Sequence, residues 1–592
     1  MTEYSPISFY QENCTHFTEK LKIIKRKLLR IGMLRLVLFL LIAGLVYLLR
    51  VQTNVMILAG LGGLVLFLIL VSKTTSIRSE KKRLEKLLEL NKKELRILNR
   101  DLTGIDEGRD FLDDKHFYNQ DIDLFGAGSI FQLINRTGTV KGREKLAEFL
   151  NANEIEGVKV RQEAIKELSE MAAWRQGFQT TAELIETQIE HKTILKWMLN
   201  YRAKIQPIFR WLPAVISIGS ILVFVAYGFG LISGGLILVW FFVGLIITLF
   251  YIGQINKLYQ SATQMTETFA SYSKLLLEIE NKNFTSELLI NQQNKIKANE
   301  QKASFIFNQL AKDLNSLDQR NNFLFALGGN GFLLWDLKYA FRIERWIEKN
   351  AKLATEWFEV IAFFDAFNSL GNYAFNYPHS IYPTLSESEN ILISADSIGH
   401  PLLKEEARVT NDFKLDQLDF FIITGANMAG KSTFLRTVAV NLVLANVGLP
   451  VVAKRFEYAP IKLISSMRTS DSLLNDESYF FSELKRLKFI VDQMKVDRYF
   501  IILDEILKGT NSKDKEEGSK KFVQKLVSTQ SSGIIATHDL SLCELSNELS
   551  QIKNYYFDAE IVNDELYFDY RFKKGICQNM NASFLLRKME IV

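Results

Sequence analysis

Apolar positions are spread unevenly along this chain. Between residues 211 and 256 lie 46 consecutive positions without an Asp, Glu, Lys or Arg. An earlier block is nearly as apolar. Residues 36–49 are uninterrupted, Arg35 can snorkel and extend that run back to Ile31, and residues 54–72 follow after a short gap. Each block has room for two helices of about 20 residues, the length that crosses a bilayer. The expected spans are 31–49 and 54–72, then 211–229 and 231–252, with a Gly/Ser turn joining the second pair.

The flanking charges orient these blocks. Lys20, Lys22, Lys25, Arg26, Lys27 and Arg30 precede the first span, and Lys73, Arg78, Lys81, Lys82 and Arg83 follow the second. Only Arg50 lies between them. Positive charge stays on the cytoplasmic side, so each block reads as a hairpin that dips into the bilayer and returns. The expectation is a multi-pass protein of the cell (inner or plasma) membrane, with four spans and both termini cytoplasmic. A cleavable signal is a poor fit, because the apolar region starts near residue 31 and runs into a second span.

Elsewhere the periodicity is mostly helical. Residues 79–103 place Leu84, Leu88, Leu95, Leu98 and Leu102 on one stripe, a helix packing on its own protein. Residues 111–151 are mixed, with a turn at GAGS and a helical end, GREKLAEFLN. Residues 254–367 are long, periodic and poor in proline, hence a helical arm. From about residue 390, short β runs alternate with helical patterns, an α/β texture. The fold class expected is therefore mixed: a helical core and lever with two transmembrane helical hairpins, plus a C-terminal α/β domain that the run G-x-x-x-x-G-K-S at residues 425–432 marks as a P-loop NTPase of ABC-like build. The expected boundaries are 1–30 for a cytoplasmic N-terminal segment, 31–72 for the first hairpin and 73–208 for the first part of the core. They continue as 209–254 for the second hairpin, 255–385 for the lever and remaining core, and 386–592 for the α/β domain.

Composition changes this picture little. A net charge of +5 is mild for 592 residues and does not by itself imply nucleic acid. Cys14, Cys543 and Cys577 are far apart, with no metal-ligand spacing, which suggests a reducing compartment without disulfides.

The chemistry lies in the last third. Gly425-Ala-Asn-Met-Ala-Gly430-Lys431-Ser432 fits G-x-x-x-x-G-K-[ST]. It follows an apolar strand and opens a helix at Thr433, so backbone N–H groups can converge on phosphate oxygens. Lys431 would reach the β- and γ-phosphates, and the Ser432 hydroxyl would ligate Mg²⁺. The apolar run at residues 499–503 ends in Asp504-Glu505. A carboxylate at the end of a strand beside such a loop organises Mg²⁺, and the next one polarises the attacking water. A third strand, residues 533–537, delivers His538, placed to sense the γ-phosphate. The expected cofactors are ATP and Mg²⁺.

This arrangement resembles the MutS family of ATPases. The resemblance is carried by TGANMAGKSTFLR (424–436), SDSLLNDESYFFSEL (470–484), ILDEILKGTNS (502–512), ATHDL (536–540) and the tail FDYRFKKGICQNMNASFLLRKMEI (568–591). HPLL (400–403) and the pair Asn411, Asp412 fit the family's entry to this domain. Upstream, DIDLFGAGSIFQLINRTGTVKGREKLAEFLN (121–151), RQEAIKEL (161–168) and DAFNSLGNYA (365–374) look like its core and the lever's return. The resemblance implies a homodimer of ATPase heads, each site completed by the partner, with Ser478 reaching the γ-phosphate in trans and Thr510 at the seam. It assigns Asn427 and Asn411 to nucleotide binding, with Gly425, Gly430, Lys431, Ser432 and Thr433. It implies DNA as the ligand moved by the levers.

The departures are as informative. Mismatch-repair members carry a recognition domain with a Phe-x-Glu wedge; here Phe17-Thr18-Glu19 spells the motif in the short stretch ahead of the first span, where no such domain is expected. The expected DNA is therefore branched or otherwise non-mismatched. The Lys/Arg-rich stretches at 20–35 and 73–100 are expected to face lipid headgroups rather than DNA. Two alternatives stand beside this reading. One is a mechanical or scaffold ATPase without DNA. The other is an ABC-type transporter, disfavoured because NDESYFF stands where an LSGGQ-like loop belongs and because the spans offer few polar groups for a substrate path.

Overall fold

The computed structural model describes residues 5–48, 53–185, 191–262, 265–297, 301–468, 479–507, 511–562 and 565–578. Two long helices open the chain, Pro6–Leu48 and Thr53–Leu98, packed against each other along their length. At 1.5 Å per residue each is a rod of about 65–70 Å. Both are long and apolar enough to cross a membrane. The expected boundaries near residues 30 and 72 are not breaks, because Lys, Arg and Glu are good helix formers and carry the helix through the charged flanks. At and beyond the edge of the apolar stretch the rods meet through Leu21, Ile24, Ile31, Ile77 and Leu84, with Phe17 packed alongside. The Phe-x-Glu tripeptide is thus part of an ordinary helix contact.

The second rod buries a different line from the leucine stripe its sequence suggests. Leu84, Leu90, Asn91, Glu94 and Ile97 are buried, while Leu88, Leu95 and Leu98 are only partly covered. Polar partners in the core turn that face inward: Asn91 exchanges hydrogen bonds with Gln176, and Glu94 forms a buried ion pair with Arg136.

The expected arm over 254–367 is folded into several helices. Thr266–Glu280 and Ala303–Asp318 pack side by side, and Glu287–Lys297 lies between them in sequence. One unbroken helix of 42 residues, Trp335–Asn376, then runs through the core as a lever. Its C-terminal half is the hub of the helical part. Asp365 accepts hydrogen bonds from Gly138 N, Thr139 N and Thr139 Oγ1, and so anchors the start of the Val140–Asn151 helix. Ser369 Oγ accepts from Arg136 N, and Asn372 Oδ1 from Arg175 Nη1. That is why a polar stretch such as DAFNSLGN lies buried.

The second apolar block forms two 17-residue helices, Leu212–Gly228 and Gly234–Phe250. Each measures about 25 Å, a little under the hydrocarbon thickness of about 30 Å. Beyond a bend of 63° the second continues as Ile252–Ala262. A third short apolar helix, Phe323–Leu333, packs against both members of the pair.

The C-terminal part is α/β. A six-stranded sheet runs in the order Lys573–Lys574, Ile552–Phe557, Phe420–Gly425, Ser532–Ala536, Tyr499–Asp504, Lys462–Ser466. All its pairings are parallel except that of Lys573–Lys574 with Ile552–Phe557. The central strands are apolar on both faces, as parallel strands covered on two sides require. A second sheet, in the order Thr384–Leu385, Arg455–Tyr458, Ile391–Ile398, Asn411–Asp416, leads into it. The helix Lys431–Val447 is buried almost throughout. Arg161 of the helical core donates to Asn446 O and Val447 O, satisfying carbonyls at the end of that helix.

Candidate nucleotide site

Parallel pairing sets three strand ends side by side. Ala536 is in register with both Ile423 and Asp504, so the segments that follow each strand emerge at one edge of the sheet. They line a single cavity of about 680 Å³ with Ala426, Asn427, Met428, Gly430, Lys431, Ser432, Thr433, Asp504, Glu505 and His538 on its walls. Residues drawn from three sequence segments spread over more than 100 positions thus meet where phosphates can be held.

Two glycines are dictated by this geometry. Gly425 has φ +146°, and a Cβ there would sit 2.5 Å from Phe557 O. Gly430 has φ +103° at the start of the helix, with the Tyr570 ring 3.0 Å from where its Cβ would be. Larger residues would push the loop off the sheet or the ring off the loop.

Lys431 is buried, and its Nζ donates to Gly425 O at 2.7 Å and Ala426 O at 3.0 Å, with His538 Nε2 at 3.3 Å. Burial lowers its pKa, and the charges of Asp504 and Glu505 oppose that shift. His538 is also lowered, first by burial and then by the Lys431 ammonium. A neutral imidazole beside that ammonium is a hydrogen-bond acceptor toward it. Glu505 adopts the left-handed conformation, φ 56°, with its N–H bonded to Ala536 O at 2.9 Å, and its carboxylate lies 3.8 Å from Lys515 Nζ.

Asn411 lines the cavity, but both ends of its amide are engaged. Its Nδ2 donates to Tyr570 O at 3.0 Å, and its Oδ1 accepts from Phe572 N at 2.9 Å. It therefore holds the C-terminal strap against the site. Phe572 stacks on Tyr555 and on Phe434 of the loop helix, with centroids 4.4 and 4.5 Å apart. The strap's Tyr570 and the apolar wall of Ile398, Leu403, Ala407 and Val409 complete the cavity. Ile398, Ala407 and Val409 were not singled out from the sequence, and Leu403 and Tyr570 fall in the motifs HPLL and FDYRFKK without any local sign that they build this wall. Ser478 and Thr510 lie outside the described residues.

The donor set fits Mg²⁺. Among the described residues no group of three or more His, Cys, Asp or Glu could hold a metal alone. One hydroxyl (Ser432) and one carboxylate (Asp504) on the same wall is the sparse protein contribution that Mg²⁺ takes when phosphates and water supply the rest.

A glycine-rich loop on a parallel sheet, a Lys–Ser pair opening the helix, and carboxylates and an imidazole at neighbouring strand ends thus share one edge of an α/β ATPase-type domain. The sequence profile of MutS domain V matches residues 421–587. The chain is 28% identical to human MutS protein homolog 4 over 193 residues, 31% of this chain and 20% of that protein. It is 32% identical to the DNA mismatch repair protein MutS of Aquifex pyrophilus over 203 residues, 33% of this chain and 23% of the relative. The Arabidopsis thaliana DNA mismatch repair protein MSH4 matches at 28% over 217 residues, 35% and 26% of the two chains. Residues 421–587 are thus a MutS-type ATPase domain. The chain spans about a quarter or less of the length of these curated relatives.

Proposed function

We propose that this protein is a membrane-anchored, Mg²⁺-dependent ATPase whose nucleotide-driven head closure is transmitted through helical levers, and that it binds DNA. The observation that carries the reading is the convergence of Lys431, Ser432, Asp504, Glu505 and His538 on one cavity. In that cavity Gly425, Asn427, Gly430 and Thr433 present loop N–H groups and side chains to the phosphates, and Lys431 neutralises them. Ser432 and Asp504 hold Mg²⁺, which supplies charge neutralisation. Glu505 accepts the proton of the attacking water as its oxygen bonds to the γ-phosphorus and the β–γ bridge breaks toward ADP. His538, neutral and beside Lys431, reports whether the γ-phosphate is present. Asn411 acts by positioning the strap. Ser478 of a second copy completes the site in a homodimer.

The rods and the second apolar helix pair supply the anchor, four passes with the ATPase domain on the cytoplasmic side. The abundance of exposed Leu, Ile, Val and Phe along them supports a lipid environment. DNA is supported by the relatives, two of which are named DNA mismatch repair proteins. It is supported also by a feature the sequence periodicity did not bring out: Lys338, Arg342, Arg345, Lys349 and Lys352 are exposed at helical spacing along one side of the lever. Branched or non-mismatched DNA is the expected form.

A second reading, a mechanical ATPase without DNA, is favoured by the docking of the first rod on the lever's end. The test is DNA binding by the purified full chain in detergent, using homoduplex, mismatched and branched DNA, with and without ATP, over a salt series. Nucleotide-dependent, salt-sensitive binding that is lost in Lys431→Ala supports the DNA reading. ATP turnover without DNA binding leaves the mechanical one.

A further inference from the structure

The short helix Phe323–Leu333 has no role in the nucleotide site and is too short, at about 16 Å, to cross a bilayer. Its sequence, FLFALGGNGFL, carries no charge. Asn322 caps its start by accepting from Phe325 N, and Leu334, in the left-handed conformation with φ 47°, ends it. The lever begins at once with Trp335 and folds back, so that the Trp335 ring meets Phe325 edge-on at 5.0 Å. The chain goes in, turns and comes out.

One side of this helix is fitted tightly to the apolar pair. A Cβ on Gly244 would lie 2.1 Å from Gly331 O, so the two backbones touch. Ser220 Oγ donates to Phe332 O at 2.7 Å and accepts from Trp240 Nε1 at 2.8 Å. Small residues at a backbone contact and a buried hydroxyl bridging helices are the means by which helices associate in lipid. The first turn of the helix is bare: Phe323 is 72% and Leu324 79% exposed, and the apolar pair likewise leaves Leu222, Phe242 and Ile246 exposed.

The polar boundary is sharp. Just before the helix, Arg320 donates to Asn256 Oδ1 at 2.8 Å and faces Asp336, and Asp318 accepts from Tyr259. Trp335 Nε1 donates to Ser316 O at 2.7 Å. Aromatic groups with polar tips, and cations, at the edge of an apolar unit mark a membrane interface.

We propose that Phe323–Leu333 is a membrane-inserted re-entrant element, entering one leaflet beside the second apolar pair, with acyl chains covering Phe323 and Leu324. Its broken backbone at Leu334 is buried in protein, the condition under which an interrupted helix is tolerated at membrane depth. The inference rests on the membrane reading of the Leu212–Gly228 and Gly234–Phe250 pair. It places the N-terminal end of the lever at the bilayer, so the lever connects lipid to the ATPase domain.

The test uses the full chain with its three cysteines replaced by serine, reconstituted in phosphatidylcholine vesicles and bearing one nitrobenzoxadiazole probe. Leu324→Cys, with Phe323→Cys as a second variant, is compared with Leu222→Cys on the apolar pair and Lys352→Cys on the lever. Retained ATP binding confirms that each variant is folded. Vesicles containing doxyl-labelled lipid should quench the probes at 324 and 323 as they quench 222, and leave 352 bright. Quenching at 222 with 324 and 323 as bright as 352 overturns the proposal while keeping the pair in the membrane. No quenching at 222 removes the membrane reading of the pair and this inference with it.

Discussion

Tyr10, in the second turn of the first rod, donates a hydrogen bond of 2.7 Å to Oδ1 of Asn376, the last residue of the lever helix. The contact joins residues 366 positions apart, and both are buried. Phe375 closes it from the side, edge-on to Phe9 and Tyr10 at 5.3 and 6.0 Å. The rod that carries the first apolar span is therefore fastened where the lever enters the ATPase domain.

Tyr10→Phe keeps the ring contacts and removes the donor. Asn376 Oδ1 is then left in a buried place without this partner, which costs about 1–3 kcal/mol. The denaturation midpoint in detergent should fall by a corresponding amount while ATP affinity is kept. An unchanged midpoint would mean that the bond does not hold the rod.

The adjoining ion pair makes a sharper test. Glu94 and Arg136 have side chains 5% and 2% exposed, and Asn376 Nδ2 also donates to Glu94 at 2.8 Å. Arg136 holds Glu94 below the usual carboxylate range against the opposing effect of burial. Glu94→Leu strands a buried guanidinium and should cost about 3–5 kcal/mol. Glu94→Leu combined with Arg136→Met should recover much of that loss, because an apolar pair of similar size needs no charge compensation. If chemical denaturation finds the double variant as unstable as the sum of the singles, the two residues are not coupled.

These contacts mark the limit of what the sequence discloses. The phosphate loop, Asp504-Glu505 and His538 were legible because strand-end chemistry is written in short contiguous motifs. DAFNSLGNYA was legible as a motif, yet not as a hub, because Asp365, Ser369 and Asn372 find their partners in segments far upstream. The cavity wall was legible only in part: Leu403 and Tyr570 lie in the quoted motifs HPLL and FDYRFKK, while Val409 left no local signal. Phe323–Leu333 was absorbed into the helical arm, since a segment of 11 residues, broken by glycines and Asn330, falls short of a span. The rods were divided at charged flanks that helices cross without difficulty.

His400 gives a pH dependence. It is buried beside the nucleotide cavity, and burial, opposed by Asp123 and aided by Arg436, Arg408 and Arg100, lowers its pKa from 6.5 to about 4. Between those values the unfolded chain takes a proton that the folded chain refuses. Stability is therefore lost as pH falls from 6.5 toward 4, by on the order of 3 kcal/mol across the window. Urea midpoints at pH 5 and pH 7 should converge in His400→Gln relative to the unaltered chain. An equal pH dependence in both would assign the loss to other groups.

Glu505→Gln should separate binding from chemistry. The amide cannot accept the water's proton, so turnover should fall about 10²–10⁴-fold, while ATP binding survives and the closed dimer accumulates. Lys431→Ala should instead abolish nucleotide binding. Light scattering with ATP, alongside phosphate release, distinguishes the two. Undiminished phosphate release by Glu505→Gln would remove the carboxylate from the reaction.

The lever's basic side carries the last prediction. Arg345, Lys349 and Lys352 lie within two turns on the exposed face of Trp335–Asn376. Arg345 also pairs with Glu348 at 2.6 Å on the surface, a weak bond that a phosphate can displace. If these three cations lie on DNA phosphates, changing all of them to Gln removes up to three counterion-releasing contacts. The slope of log Kd against log salt should then flatten by up to about 2–3. Weakening should be similar for branched and homoduplex DNA, because phosphate contacts carry no sequence or junction information. The lever keeps its buried face, so ATP turnover without DNA should be unchanged. An unaltered salt slope with DNA binding intact would put the phosphates elsewhere on the molecule. It would leave the lever as a mechanical link between lipid and nucleotide.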